Sequence, residues 1–373
     1  MILEVTMKNG RYGFLINGGK TITLISVLFL SLFLSSCAGL MAGDPALEAR
    51  QDIEAADPAM GDWEGSWKLE DESDSGPLVA QVIALGKGKY RVNFLGEFDI
   101  REEPLVVLEG QRDGEVVLFA GQAMLRDSST ELEIQAAIED DKFNGSFKGD
   151  EVGSFAMDRA IRISPTLGAK PPAGAIVLFN GKNFKQWKHP RKKPGEDSVQ
   201  WELVKGRAME VKPGTGSIIT KKEFADTKLH LEFRTPFMPD ARGQGRGNSG
   251  VYLQGRYEVQ VLDSYGLEGR ENECGGIYGV APPLVNMCAP PMQWQTYDIT
   301  FQAPRFDSTG KRTRDARMTV IHNGVTTHDN VKVSKATTAA PGGDVTQRGG
   351  VYLQDHGNPV QYRNIWLVEL VTD

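Results

Sequence analysis

The chain has 373 residues, of which 40% are hydrophobic and 24% charged, the composition of a globular protein long enough for two domains. Its net charge of −7 argues against nucleic acid as a partner, because phosphate binding requires a basic face. Short apolar runs broken by Gly, Pro, Asn and Asp dominate, and helical periodicity is scarce, so we predict an all-β fold.

Residues 1–36 have the pattern of a lipoprotein signal peptide. Three basic residues precede the apolar run Ile22–Leu34, which is too short to span a bilayer as a helix. The run ends in Leu34-Ser35-Ser36-Cys37, which resembles a bacterial lipobox, the signal that makes its cysteine the lipidated first residue. We therefore expect a protein of the cell envelope, anchored through Cys37 on the periplasmic side of the outer membrane or at the cell surface. An ordinary cleaved signal is the alternative.

Residues 37–57 are rich in Ala, Asp and Glu and predict a tether, with a short helix around Ala46–Ala56. Residues 58–165 predict a small β-rich accessory domain, either a barrel or a sandwich, because short strands alternate there with tight turns. The expected strands are Leu78–Leu85, Lys89–Phe94, Leu105–Glu109, Glu115–Ala120, Glu131–Ile138 and Lys142–Gly149. This region offers no metal-ligand spacing, nucleophile or phosphate loop.

Residues 166–174 form a Pro/Gly linker, and a second β domain follows over residues 175–373. Within it, Lys228–Arg234 alternates apolar residues with His230, Glu232 and Arg234, which predicts a strand with one polar face. Asn323-Gly324 between two apolar runs predicts a tight hairpin.

The stretch Gly247–Asp263 predicts a hairpin with a second polar face. Its aliphatic residues alternate with Tyr252, Glu258 and Gln260, so the polar set gathers on one side of the sheet. The sequence GVYLQ occurs at Gly250–Gln254 and again at Gly350–Gln354. We predict that these two strands lie in one sheet and present Tyr252, Gln254, Tyr352 and Gln354 on one surface. Such groups suit a ligand with many hydroxyls, although a solvated strand face has the same pattern.

Two cysteines remain if Cys37 carries lipid. Cys274 and Cys288 lie 14 residues apart in an irregular stretch, and export would allow a disulfide between them. Two free thiols are equally compatible with the sequence, because spacing does not show whether the Cα atoms approach within bridging distance.

The second domain resembles the bacterial 3-keto-disaccharide hydrolase family over about residues 174–370. The markers occur in order: Leu178–Trp187, Leu229–Arg234, Gly247–Ser264, Cys274–Pro283, Trp294–Asp307 and Gly349–Leu370. The resemblance implies a concanavalin A-like jelly-roll sandwich and cleavage of glycosides oxidised at C3 of the sugar. The strand around Glu258, Gln260 and Asp263 also resembles the acid pattern of laminarinases. The middle acid is an amide here, which argues against a retaining glucanase with two carboxylates.

A 3-keto sugar has an acidic proton at C2, so a base can remove it and the C1 oxygen can leave by β-elimination, followed by hydration; net hydrolysis is the other route. We expect Glu258 and Asp263 as acid/base groups, with Glu232 behind them, and His356 as a base or metal ligand. Arg234 and Asn248 are candidates for stabilising the enolate. The candidates for substrate binding are Tyr252, Gln254, Gln260 and Gln354 for hydroxyls, and Tyr278 and Trp294 for stacking on a sugar ring.

Each candidate has a structural alternative. Glu232 and Arg234 at i and i+2 can form an ion pair, His356 can cap a turn, Trp294 can be core, and Asn248 can belong to a turn. The sequence assigns no cofactor, although Glu, Asp and His on one face would suit a divalent metal ion. A sugar 3-dehydrogenase would act upstream. A lectin-like surface lipoprotein that only binds carbohydrate is the alternative function.

Overall fold

This computed structural model describes residues 7–8, 11–12, 45–338 and 340–371, in two compact units. In the first unit, Met1–Ala42, the described residues form an antiparallel pair, β1 (Met7–Lys8) and β2 (Arg11–Tyr12). Cys37 and most of the predicted signal peptide lie outside the described residues. No helix in the described part of the chain is both long and apolar enough to cross a membrane.

The second unit, Gly43–Asp373, opens with the predicted helix, α1 (Pro45–Ala56). The helix is more than a tether, because Ile53 is buried in an apolar cluster and Asp52 forms an ion pair with Arg234. Segment 45–56 therefore packs on the folded part of the chain.

The accessory region is a closed antiparallel barrel of eight strands. β10 pairs with β3, and each other strand pairs with its neighbours in sequence. The strands are β3 (Gly61–Leu69), β4 (Ser75–Ala84), β5 (Lys89–Leu95), β6 (Val106–Asp113), β7 (Val116–Met124), β8 (Glu131–Glu139), β9 (Lys142–Lys148) and β10 (Val152–Ala160). The six predicted strands are present, and the two that the sequence patterns did not predict, β3 and β10, pair to close the barrel. Closure leaves no unpaired edge.

The C-terminal region is a sandwich of two antiparallel sheets. The larger has the order β13-β14-β25-β16-β19-β22-β23, with β11 on β25, and the smaller has the order β12-β15-β24-β17-β18. The larger contains β11 (Ile176–Phe179), β13 (Glu202–Val204), β14 (Ala208–Glu210), β16 (Thr227–Arg234), β19 (Gln295–Gln302), β22 (Ala316–His322), β23 (Val325–Val333) and β25 (Gln361–Glu369). The smaller contains β12 (Trp187–Lys188), β15 (Ile218–Thr220), β17 (Ser249–Leu253), β18 (Tyr257–Val261) and β24 (Tyr352–Leu353).

The remaining elements are short. β20 (Arg305–Phe306) and β21 (Arg312–Arg314) form a separate pair, and single 3₁₀ turns lie at Lys205–Arg207 and Gly243–Gly245. The predicted Asn323-Gly324 turn joins β22 to β23. The all-β prediction is therefore confirmed, with a barrel before a jelly-roll sandwich.

The sandwich core lies between the two sheets. Leu229, Leu231 and Phe233 enter it from the larger sheet, and alternate aliphatic residues of β17 and β18 enter it from the smaller. The two GVYLQ strands lie in one sheet, as predicted, and they are neighbours with Tyr252 opposite Tyr352. Because alternate residues point to opposite faces, the polar residues of β16 and of β17–β18 project from opposite outer sides of the sandwich.

Buried polar contacts join the barrel to the sandwich. The Tyr265 hydroxyl donates to Oδ1 of Asp62 at 2.7 Å, and Arg162 Nε donates to Oδ2 of the same carboxylate at 2.8 Å. In the segment predicted as a linker, the Gly168 N–H donates to Oε1 of Glu232 at 2.7 Å. The linker is therefore bound along the outer face of the larger sheet.

Candidate active site

The outer face of the smaller sheet carries a group of polar residues that we call the Glu258 face: Tyr252, Glu258, Gln260, Tyr352 and Gln354. They point away from the apolar core, and yet Tyr252, Glu258 and Gln260 are at most 1% exposed. Loop residues close the edge of β18, where the backbone of Glu258 and Gln260 bonds to Tyr278, Gly275 and Gly276. The face is therefore a desolvated polar site.

Glu258 is the carboxylate of this face. Its Oε2 atom is buried and has no hydrogen-bond partner among the described residues. Burial raises the pKa of Glu258 from its ordinary 4.5 to about 7, although the adjacent Tyr252 hydroxyl opposes the shift. A carboxylate with a pKa near neutrality and one free oxygen has the properties of a general base.

Gly250 makes room for this carboxylate. It lies on β17 two residues before Tyr252, the residue directly opposite Glu258. A β-carbon at Gly250 would overlap Oε1 of Glu258 and would lie 2.8 Å from Cε2 of Tyr252. Only glycine therefore leaves both side chains in their observed positions.

Two side chains hold the Tyr252 phenol in place. Nε2 of Gln354 donates to the Tyr252 hydroxyl at 3.2 Å, and the Tyr352 ring packs edge-on against the Tyr252 ring at 5.1 Å. Burial and the adjacent Glu258 charge raise the pKa of Tyr252 above its ordinary value. Tyr252 is therefore a neutral hydroxyl that can donate a hydrogen bond.

Amides form the other part of the face. Nε2 of Gln260 donates to Oε1 of Gln244 at 3.0 Å, and Nδ2 of Asn248 donates to the same atom at 3.1 Å. Oδ1 of Asn248 is buried without a partner among the described residues. The three amide side chains of Gln244, Asn248 and Gln260, which we call the amide group, thus have a free acceptor that can bind a hydroxyl. Tyr278 is half-buried next to this face.

Asp263 does not join the Glu258 face. It follows β18 with the parity of the inward residues Val259 and Val261, and its Oδ2 accepts a hydrogen bond from Arg246 Nε at 2.6 Å. Its Oδ1 accepts from the Tyr265 N–H at 3.4 Å. The structure thus places it in a buried ion pair.

Glu232 lies on the outer face of the larger sheet, away from Glu258. It accepts hydrogen bonds from Arg363 Nε at 2.6 Å, from Asn364 at 2.8 Å and from the linker N–H of Gly168. Burial alone would raise the pKa of Glu232, but the neighbouring His230 and the Arg363 charge lower it to about 2. It is an ionised carboxylate with its oxygens occupied.

Arg234 and Trp294 belong to the same outer face as Glu232. Arg234 binds Asp52 of α1 and donates to Gln361 at 2.8 Å, so its partner is not the Glu232 of the sequence-based alternative. Trp294 is 4% exposed, with the guanidinium groups of Arg363 and Arg234 over its ring at 4.0 and 4.9 Å. The ring is thus covered by protein and offers no free face for stacking on a sugar.

Gln254 and His356 lie at the ends of strands. Gln254 has a positive φ of 54°, so its side chain leaves the predicted shared surface and bonds to the Phe224 carbonyl and to Arg256. His356 is exposed in the turn after β24, two residues beyond Gln354. Of the predicted site residues, the Glu258 face unites Tyr252, Glu258, Gln260 and Gln354, with Asn248 and Tyr278 beside them.

Cys274 and Cys288 are both free thiols and both buried. Sγ of Cys274 lies 3.3 Å from the Tyr297 hydroxyl, and Sγ of Cys288 lies 3.4 Å from the Leu262 carbonyl oxygen. The disulfide left open by the sequence is not formed in this structure.

The described residues do not bring three or more His, Cys, Asp or Glu side chains together as metal ligands. The Glu258 face carries one carboxylate, and its other members are two phenols and two amides. With a single charged ligand, this donor set does not fit a metal centre, and we derive no step through one.

Sequence reasoning missed Gln244 and Thr337. Gln244 lies in a Gly/Arg loop and reaches the amide group from there, whereas Thr337 accepts the Glu258 N–H through Oγ1 at 3.2 Å. Neither residue lies in a periodic pattern, so no local feature marked them. The repeated GVYLQ strand was the feature that identified Tyr352 and Gln354.

The Glu258 face thus combines a buried glutamate that has one free oxygen with phenols and amides, which are groups that can bind hydroxyls. The comparisons with known proteins give the family. The family model of the 3-keto-alpha-glucoside-1,2-lyase-like domain matches residues 174–368, and the chain belongs to this family. It is therefore a glycoside-acting enzyme.

Two solved structures from Parabacteroides distasonis ATCC 8503, both described as proposed glycosyl hydrolases, are similar to this chain. One is 36% identical, with a TM-score of 0.48, over 53% of this chain and 85% of its own. The other is 20% identical, with a TM-score of 0.39, over 53% of this chain and 95% of its own. The search of curated proteins gave no match.

Proposed function

We propose that this protein cleaves 3-keto glycosides by abstracting the proton at C2 and eliminating the C1 oxygen, with Glu258 as the base. The observation that carries the proposal is the buried Oε2 of Glu258, which has no hydrogen-bond partner among the described residues, on a carboxyl whose burial raises its pKa to about 7. Such a base is half ionised at neutral pH, where the driving force for proton abstraction and the ionised fraction are balanced.

In the first step, the C2–H bond breaks, the proton moves to Glu258 and the electron pair forms the C2=C3 enolate with its charge on the C3 oxygen. The Tyr252 hydroxyl lies beside Glu258 and accepts a hydrogen bond from Gln354. In this proposal its own O–H donates to the enolate oxygen. The site thus offers a neutral donor where negative charge develops.

In the second step, the enolate collapses, the C1–O bond breaks and the departing oxygen takes a proton. We assign this protonation to His356, because it is exposed two residues beyond Gln354, whose amide binds the Tyr252 hydroxyl. Water then adds across the C1=C2 bond of the released glucal to give the 3-keto sugar. The net reaction equals hydrolysis.

The amide group and Tyr278 bind the sugar in this proposal. Oδ1 of Asn248 accepts a sugar hydroxyl, since it is buried without another partner among the described residues. Gln260 and Gln354 orient further hydroxyls, and the half-buried Tyr278 supplies an aromatic surface. We assign structural roles to Glu232, Arg234, Gln254, Asp263 and Trp294, because protein groups already occupy their polar atoms or cover their rings.

We further propose that the enzyme is an exported lipoprotein attached through Cys37 and that a sugar 3-dehydrogenase supplies its substrate. The lipobox-like Leu34-Ser35-Ser36-Cys37 supports the first part. The second follows from the chemistry, because the C2 proton becomes acidic only after oxidation at C3.

The deciding experiment follows 3-keto-trehalose and 3-keto-lactose by NMR in D₂O with the wild-type protein and Glu258→Gln. Elimination and hydration place deuterium at C2 of the released sugar, and Glu258→Gln loses both deuterium incorporation and cleavage. Cleavage without deuterium would show direct hydrolysis. Binding of the sugar with no turnover of either substrate would favour the carbohydrate-binding function.

A further inference from the structure

The barrel is packed in one half and hollow in the other. In the packed half, Phe143 contacts the rings of Trp63, Phe119 and Phe155 at 5.5–5.8 Å, and Ile53 of α1 packs against the same cluster. Beyond Phe155, the interior opens into a cavity of about 400 Å³. An eight-stranded barrel is wide enough for its side chains to fill it or for one small ligand to bind inside.

The cavity is lined by hydrocarbon. Its walls include Trp67, Leu78, Leu132 and Phe147 from four different strands. Trp67 and Phe147 point into the barrel and yet remain partly accessible, which shows that the cavity opens to solvent at this end. A cavity of this size matches those of ligand-binding pockets and exceeds the apolar cavities that bind benzene.

The rim of the cavity is acidic. The four loops at the open end, residues 70–74, 96–105, 125–130 and 149–151, contain eleven acidic residues and two arginines. Both arginines are engaged: Arg126 with Glu102 and Arg101 with Glu268. The charged residues among the described lining are Asp150 and Glu151, and it includes no basic side chain.

We propose that the barrel binds a non-anionic amphiphile, with its hydrocarbon chain in the cavity and an uncharged or cationic head group at the acidic rim. Apolar burial provides the affinity. The rim sets the specificity, because a carboxylate or phosphate head would lie among like charges. This site is separate from the Glu258 face and does not depend on the reaction proposed for it.

The test is fluorescence titration of the purified protein with the uncharged probe N-phenyl-1-naphthylamine, followed by displacement with dodecylamine, dodecanol and dodecanoate. We expect saturable binding at one site per chain, with the amine and the alcohol displacing the probe at concentrations about tenfold or more below the carboxylate. Raising the salt concentration should narrow this difference, since it screens the rim. Absence of saturable binding, or equal displacement by all three, overturns the proposal.

Three variants locate the site. Leu132→Trp fills the cavity and should abolish probe binding, whereas Leu118→Trp, on the outer surface of β7 with 48% exposure, should leave it unchanged. Asp150→Asn with Glu151→Gln should retain the probe and improve displacement by dodecanoate. If Leu132→Trp binds the probe as the wild type does, the ligand is not in the barrel.

Discussion

A β-carbon on Gly250 would occupy the space of Oε1 of Glu258, so the proposed base can sit on this face only because the neighbouring strand has a glycine there. The β-carbon would also lie 2.8 Å from the Tyr252 ring. Gly250 therefore leaves room for both the carboxylate and the phenol, because it has no β-carbon.

Gly250→Ala should lower turnover of a 3-keto glycoside strongly while costing about 1–3 kcal/mol in stability, the usual cost of overpacking. The reason is that Glu258 or Tyr252 must move away from the added methyl group. Gly96→Ala is the matched control, since a β-carbon there has no heavy atom within 4 Å. Kinetics and thermal unfolding of both variants measure the effect, and unchanged kcat in Gly250→Ala would contradict the assigned site.

Activity should rise with pH through about 7, because burial raises the pKa of Glu258 to about that value and only the ionised form accepts a proton. Glu258→Gln should reduce kcat by about 10²–10⁴-fold, the range of general acid–base catalysis. The measurement is the pH dependence of kcat/KM. A profile that is flat between pH 5 and 9 in the wild type would rule out Glu258 as the base.

The raised pKa of Glu258 also makes the stability of the fold depend on pH. Because the folded-state pKa is raised, the folded protein holds a proton that the unfolded chain releases between pH 4.5 and about 7. The wild type should lose up to about 3 kcal/mol of stability as pH rises through that window. Glu258→Gln lacks this loss, so urea unfolding should show its stability relative to wild type increasing from pH 4.5 to 7.

Glu232→Gln should destabilise the fold without removing the chemistry. Glu232 is buried and bound to Arg363, and removing one partner of a buried ion pair costs about 3–5 kcal/mol. Since its hydrogen bonds and Arg363 lower the pKa of Glu232 to about 2, its stabilisation is present above pH 4.5 and is lost as the pH falls towards 2. Folded Glu232→Gln should keep the wild-type kcat. A folded variant with a strongly reduced kcat would show that Glu232 takes part in catalysis.

His356→Ala should separate the two proposed steps. It should slow cleavage of 3-keto-trehalose by about a hundredfold, because the departing alkoxide needs a proton. Cleavage of a 3-keto p-nitrophenyl glucoside by the variant should be little slowed, since the p-nitrophenolate leaves without a proton. Exchange of the C2 proton in D₂O should also persist. An equal loss of cleavage rate on both substrates would show that His356 does not protonate the leaving group.

The proposed lipid anchor at Cys37 can be tested by itself. If Cys37 is the lipid acceptor, Cys37→Ser should prevent incorporation of radiolabelled palmitate and release the protein from the membrane fraction. The catalytic constants of purified protein should not change, since the Glu258 face lies within residues 45–371. Membrane attachment that persists in Cys37→Ser would contradict lipidation at this residue.

The sequence by itself determined the strands and their partners where local chemistry is sufficient. Alternation predicted the inward faces of β16, β17 and β18, and Asn323-Gly324 predicted its hairpin. The repeated GVYLQ predicted that its two strands share one sheet. These features depend on residues within a few positions of one another, because side-chain direction and turn type are properties of short segments.

Only the tertiary structure decided which polar face is a site. Glu232 and Glu258 stand on similar alternating strands, and nothing local distinguishes them. The linker and Arg363 occupy the first carboxylate, whereas the second keeps a free oxygen. The groups that occupy the Glu232 carboxylate, Gly168 and Arg363, come from segments more than sixty residues away. The assignment therefore depended on long-range packing, which a periodic pattern does not encode.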